Sequence, residues 1–151
     1  MNEPKLINFE FSDEKIFAKI CSEVIDPQFL AQYVQTPASG AVVNFLGNVR
    51  NIDDRREVVK LEYEVHPSAL DVLISLSQKT ILDFPIHKLA VVHRYGSLEI
   101  GECAFAVSIS SQNRSAAFGA ITSFIDAVKE EIPVWKHQFF SDGTDEWVGS
   151  A

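Results

Sequence analysis

The segment from Asn113 to Gln138, NRSAAFGAITSFIDAVKEEIPVWKHQ, combines three cations with an abrupt proline stop. Phe118, Ile121, Ile125, Val128 and Ile132 recur at steps of three and four, the spacing of one helical face, and Pro133 ends the run. At about 100° per residue, Arg114 falls inside that apolar stripe and Lys129 borders its Ile125 edge. Lys136 follows beside Trp135 in the extended stretch after the proline. A cation at such a border either packs its stem and keeps its head in water, or faces a cleft where it meets an anion. Arg50 and Arg94 also stand at the ends of apolar elements, so these five residues are candidates for a site that binds phosphate or carboxylate. Clustered cations would also depress a lysine's pKa and free some amine for proton transfer or nucleophilic attack.

Other chemistries find less support. No GxSxG elbow is present, and neither Cys21 nor Cys103 sits beside basic residues that would make it a thiolate. His66, His87, His93 and His137 are scattered without HxH or HExxH spacing, so neither a metal nor another cofactor is expected. Gly40 and Gly47 do not form a phosphate loop.

With 151 residues and 46% hydrophobic content, the chain suits one domain with a proper core. Its net charge of −8 repels nucleic acid and anionic membranes, so an anionic ligand needs a local basic site to overcome the global field. The two cysteines are distant and read as free thiols. The N-terminal MNEPKLINFEF has neither a signal peptide's pattern nor a spanning apolar run, and a cytoplasmic location is expected.

The elements that must position these residues follow in order. Leu6 to Phe11 reads as a short strand and Lys15 to Val24 as a helix, from Ile16, Ile20 and Val24. Asp26-Pro27 starts a second helix with Phe29, Leu30 and Tyr33 on its apolar face. Gly40 to Val49 reads as a strand and Arg50 to Arg56 as a loop. Val58 to Val65 alternates as a half-buried strand, with Val59, Leu61, Tyr63 and Val65 on one face, expected to pair with the strand before the loop. A helix spans Pro67 to Phe84, with Leu70, Leu73, Ile74, Ser77 and Ile81 on its face. Strands follow at His87 to Arg94 and Glu102 to Ser110, then the Arg114 helix and a strand at Val134 to Phe140. Most connections are too brief for parallel crossovers, which predicts an α+β domain over 1–151 with a largely antiparallel sheet and flanking helices.

Six stretches in order carry a family resemblance: SGAVVNFLGNVRN, VVKLEYEVHPSAL, VVHRYGSLEIGE, NRSAAF, IDAVKEEIPVWK and DGTDEWV. They cover most of residues 39–148, while 1–38 match loosely, and together they resemble the catalytic (large) subunit of molybdopterin synthase. The resemblance implies an α/β hammerhead fold and a homodimer that binds a small ubiquitin-like sulfur carrier at each end, giving a heterotetramer. It also implies a sulfurtransferase reaction, in which the carrier's C-terminal thiocarboxylate donates sulfur to cyclic pyranopterin monophosphate in molybdenum cofactor biosynthesis. Carried over by motif, Lys129 and Lys136 are the catalytic lysines, while Phe45, Arg50, Asn113 and Arg114 bind substrate. The carrier groove is expected to involve the final strand and the C-terminal residues. No metal is required for the step, and no nucleic acid or membrane partner is expected.

Arg114 and Lys129 are 15 residues apart, about 22 Å along a helix, so one compact site needs a second copy to supply one of them. Departures from the family pattern are Asn113, where a histidine is usual, Asn48, where lysine is common, and the lack of a basic residue after Trp147-Val148. Asn113 hydrogen-bonds but cannot shuttle a proton near neutral pH. The alternative is therefore a non-catalytic dimeric homologue that binds the carrier or a phosphorylated pterin without turnover. Retention of Lys129 and Lys136 argues for catalysis.

Overall fold

The computed structural model describes residues 9–149. Along the chain run β1 (Glu10–Ser12), β2 (Ile16–Cys21), α1 (Pro27–Val34), β3 (Ala41–Asn48), β4 (Ile52–Asp53), β5 (Arg56–Val65) and α2 (Ala69–Asp83). They are followed by β6 (Ile86–Arg94), β7 (Gly96–Leu98), β8 (Cys103–Ser111), α3 (Arg114–Glu131), β9 (Val134–Phe140) and β10 (Asp145–Gly149). One sheet has the order β1-β2-β6-β8-β3, and a second runs β10-β9-β5-β4 with β7 also paired to β5. All pairs are antiparallel except β2 with β6. The architecture is the α+β class expected from the element order.

The first sheet is covered on both faces, and its central strands are apolar throughout for that reason. Ile16, Ala18, Ile20, Leu89, Val91, Phe105, Val107 and Ile109 pack into the main core with α2 and α3. Phe17, Cys21, Ala90, Val92 and Ala106 point the other way, against Leu30 and Val34 of α1. This two-sided burial overturns the helix expected over Lys15 to Val24. Ile16 and Ile20 share a strand face as well as a helical one, and alternate residues of β2 feed two different clusters. Val24 lies beyond the strand and is exposed. Of the first expected strand, Leu6 to Asn8 lie outside the described residues, and pairing begins at Glu10.

Three further expectations are corrected. β5 does not pair with β3: it lies in the second sheet against β9, while β3 pairs with β8. The segment Arg50 to Arg56 is not a plain loop, because Ile52 and Asp53 form β4 and hairpin back onto β5. Asp54 and Arg55 make its two-residue turn, both with positive φ, 47° and 65°. On β5, the ladder shifts register between Val58 and Lys60. That irregularity buries Val58 and leaves Val59 exposed, against the simple alternation.

The helix starts follow their sequence signals. The Asp26 carboxylate accepts the Gln28 N–H at 3.0 Å, with Pro27 in the first turn. On α3 the buried residues are Ala117, Ala120, Ile121, Phe124 and Val128. Phe118 is 56% exposed, so the stripe is rotated toward the small residues. Alanines let the helix lie close to β3 and β8, and a reading weighted toward bulky side chains misses them.

Candidate active site

The last turn of α3 and the start of β9 are joined by Ile132 and Pro133 alone, which brings Lys129 and Lys136 to one cleft. The Ile132 N–H bonds the Val128 carbonyl at 2.9 Å and closes the helix, and the next strand begins at once. Lys129 thus sits at the negative end of the helix dipole, where an ammonium is favoured. Lys136 lies opposite Tyr63 in the ladder between β9 and β5, so both side chains share that sheet's inner face.

The cleft has a volume of about 370 Å³. Phe45 and Asn48 of β3, with Arg50 just beyond it, form one wall, and Tyr63, His93 and Phe105 stand behind. Phe45 meets Phe105 edge to face at 5.9 Å. Three cations line the cleft and no carboxylate does, in a chain of net charge −8. An acid, Asp53, is carried on the β4 hairpin beside Arg50 and Lys136. It accepts the Gln138 amide at 2.9 Å and approaches the Arg50 guanidinium at 3.8 Å. Burial pushes the Lys136 pKa down, and the Arg50 and Lys129 charges push the same way, opposed by Asp53 and Glu146.

A larger cavity of about 550 Å³ lies between the β1–β2 turn and α2, lined by Asp13, Glu14, Lys15 and apolar residues including Ile81 and Leu82. Its acids and single cation give no convergent arrangement for an anion, which leaves the smaller cleft as the candidate site.

Phe45, Arg50, Lys129 and Lys136 therefore converge as expected, and Asn113 and Arg114 do not join them. Those two lie at the opposite end of α3, where the Asn113 side chain caps the helix by accepting the Ala116 N–H at 3.1 Å. Arg114 is exposed rather than packed within the apolar stripe. Arg94 does not face the cleft either. It is buried against Glu102, at 2.8 Å, and the Ser22 carbonyl, at 3.1 Å, and holds the Tyr95–Glu102 connection to β2.

The residues that sequence reasoning passes over are His93 and Asp53. His93 shares a strand face with Leu89 and Val91, a placement that alternation could have shown. Asp53 gives no such signal, because its position depends on the hairpin turn. Among the described residues no group of histidines, cysteines and acids has the arrangement of a metal site.

An α+β fold with a cationic, carboxylate-free cleft defines a class of protein suited to anionic ligands. The sequence model of the MoaE protein family matches residues 20–131. The molybdopterin synthase catalytic subunit of Dictyostelium discoideum is 34% identical over 143 residues, which cover 91% of this chain and 90% of that protein. Molybdopterin synthase from Staphylococcus aureus superposes with a TM-score of 0.81 at 30% identity, covering 86% of this chain and 95% of that one. A chain of the Helicobacter pylori complex of subunits 1 and 2 of molybdopterin-converting factor shares the fold, with a TM-score of 0.67 at 23% identity over 87% of this chain and 88% of its own. The chain belongs to the MoaE family of molybdopterin synthase catalytic subunits and is, with them, a sulfur-transferring enzyme. The resemblance drawn from the six ordered motifs is borne out.

Proposed function

We propose that the cationic cleft is where a thiocarboxylate meets cyclic pyranopterin monophosphate, with Lys129 and Lys136 as the catalytic pair. The observation that carries this reading is the convergence of Arg50, Lys129 and Lys136 on one cleft without a lining carboxylate. Two anions must come together in this reaction, and three cations offset their repulsion. The carrier's terminal thiocarboxylate suits the lysines, and the substrate phosphate suits the guanidinium of Arg50. The depressed pKa of Lys136 makes its amine available for accepting a proton as sulfur displaces oxygen, and an ammonium can return one to the departing oxygen.

Asn113 and Arg114 enter this scheme through a second copy of the chain. Lys129 and Arg114 stand 15 positions apart on one helix, about 22 Å, so a substrate that touches both takes them from different protomers. The exposed Phe118, one turn after Arg114, supplies an apolar contact for such a homodimer. The small carrier subunit, one on each protomer, completes a heterotetramer; the two-subunit assembly of the Helicobacter pylori factor supports that partner.

The direct test is single-turnover conversion of the cyclic substrate by the full chain with a thiocarboxylated carrier, read as the fluorescent oxidised pterin. Wild type should form product and Lys129→Ala nearly none. Carrier binding without product in wild type would leave the binding-only homologue as the correct reading.

A further inference from the structure

Every charged group lining the cleft is a donor, yet a bicyclic nitrogen heterocycle presents N–H donors as well as acceptors and a phosphate. Among the neutral polar side chains that line the cleft, Asn48, Tyr63 and His93, the imidazole is the one whose accepting nitrogen is fixed by a bond to the backbone behind it. His93 is 2% exposed and lines the cleft, with its ring perpendicular to that of Tyr63 at 5.2 Å and 5.4 Å from that of Phe105. Nδ1 lies 2.8 Å from the Arg94 carbonyl, an acceptor only, so Nδ1 carries the proton and Nε2 the lone pair. Nε2 has no protein partner among the described residues, but it is not a sealed orphan atom either, a state found there only for Arg94 Nε. His93 lines the cleft, and neither lysine donates to its ring.

The imidazole stays neutral in this position. Burial pushes its pKa down to about 4, only partly opposed by the Arg94 carbonyl, and the cations sharing the cleft are Arg50, Lys129 and Lys136. Tyr63 beside it remains a phenol, its pKa raised by burial to about 12. His93 thus accepts a hydrogen bond across the working pH range and does not exchange a proton.

We propose that His93 Nε2 is the acceptor that orients the pterin substrate, by taking a hydrogen bond from one of its ring N–H groups. The proposal rests on the cleft being the pterin site. It makes His93 a specificity-determining residue distinct from the lysines, with no covalent role.

Two substitutions separate the ring's nitrogens. His93→Asn keeps a donor near Nδ1 for the Arg94 carbonyl and removes the cleft acceptor, whereas His93→Gln keeps an amide oxygen near Nε2 and loses the inner donor. Equilibrium binding of cyclic pyranopterin monophosphate is read by fluorescence, alongside single-turnover rates from pH 5.5 to 9. His93→Asn should weaken binding by about 10- to 30-fold, the usual cost of a lost buried acceptor, with a much smaller change in the maximal rate. His93→Gln should bind within about threefold of wild type. Inorganic phosphate, which needs only the cations, should compete equally in all three proteins.

Equal losses in both variants would assign His93 a structural role and overturn the proposal. So would an acidic limb in the wild-type rate profile that vanishes in both, since the imidazole would then be a base. If wild type binds the pterin but makes no product, the synthase reading fails while the binding ratio still decides the role of His93. If wild type does not bind the pterin, both readings fail.

Discussion

The buried imidazole of His93 makes the stability of the fold depend on pH below the range in which the cleft works. In the folded protein its pKa is lowered from 6.5 to about 4, chiefly by burial. In the unfolded chain the ring protonates near pH 6.5, so between these values the unfolded state binds more protons and stability falls as pH falls. The contribution is intact above pH 6.5 and is lost progressively down to the folded value. By pH 4 the loss is about 3 kcal/mol, because each pH step of one between the two values costs about 1.4 kcal/mol. That is a large share of the 5–15 kcal/mol typical of a domain. The perturbation is His93→Gln, which cannot titrate. Urea unfolding followed by tryptophan fluorescence at pH 7.5, 6, 5 and 4 should show wild type losing stability relative to the variant by about 3 kcal/mol across the range, with most of the change below pH 6. A parallel course for the two proteins would refute the reasoning, because the ring would then be solvated or paired in both states.

Two other substitutions probe the charge of the cleft and the seam between β3 and β8. Asp53→Asn removes the acid that offsets the cleft's cations and holds Lys136 up, so the Lys136 pKa should fall further and inorganic phosphate should bind more tightly; a phosphate titration and the alkaline limb of the rate profile read both effects. Gly40→Ala should destabilise by about 1–3 kcal/mol in a thermal melt, since the new Cβ would lie 2.5 Å from the Gln112 backbone oxygen and push β3 off β8.

Much of this architecture is legible in residue patterns, and the departures have specific physical origins. The α1 cap, the α2 helix and strands β3, β6, β8 and β9 follow from local signals: Asp26-Pro27, helical spacing after Pro67, and β-branched runs. β2 reads as a helix because a strand buried on both faces has no alternation to betray it. Strand partners lie beyond local reading, so the pattern of β5 marks it as a strand without revealing that β9, not β3, is its neighbour. Within the site, the ordered motifs single out Lys129, Lys136, Arg50 and Phe45, which the fold brings together. Asp53 stays hidden because an Asp-Arg turn in left-handed conformation lacks the usual glycine signal. Asn113 reads as a lost acid or base only until the helix is seen, where it caps the first turn of α3, a task for which asparagine is well suited.

The central claim, one site built from Lys129 of one protomer and Arg114 of its partner, is open to a subunit-mixing experiment. Lys129→Ala and Arg114→Ala are purified separately, unfolded and refolded together, and assayed for pterin product with excess thiocarboxylated carrier. Each variant alone should be nearly inactive. Random reassociation makes about half of all dimers mixed, and each mixed dimer retains one intact site of its two, so about a quarter of wild-type activity should return. No recovery, with mixed dimers demonstrated by mass spectrometry, would contradict a site shared between copies and confine the reaction to the cleft of a single chain.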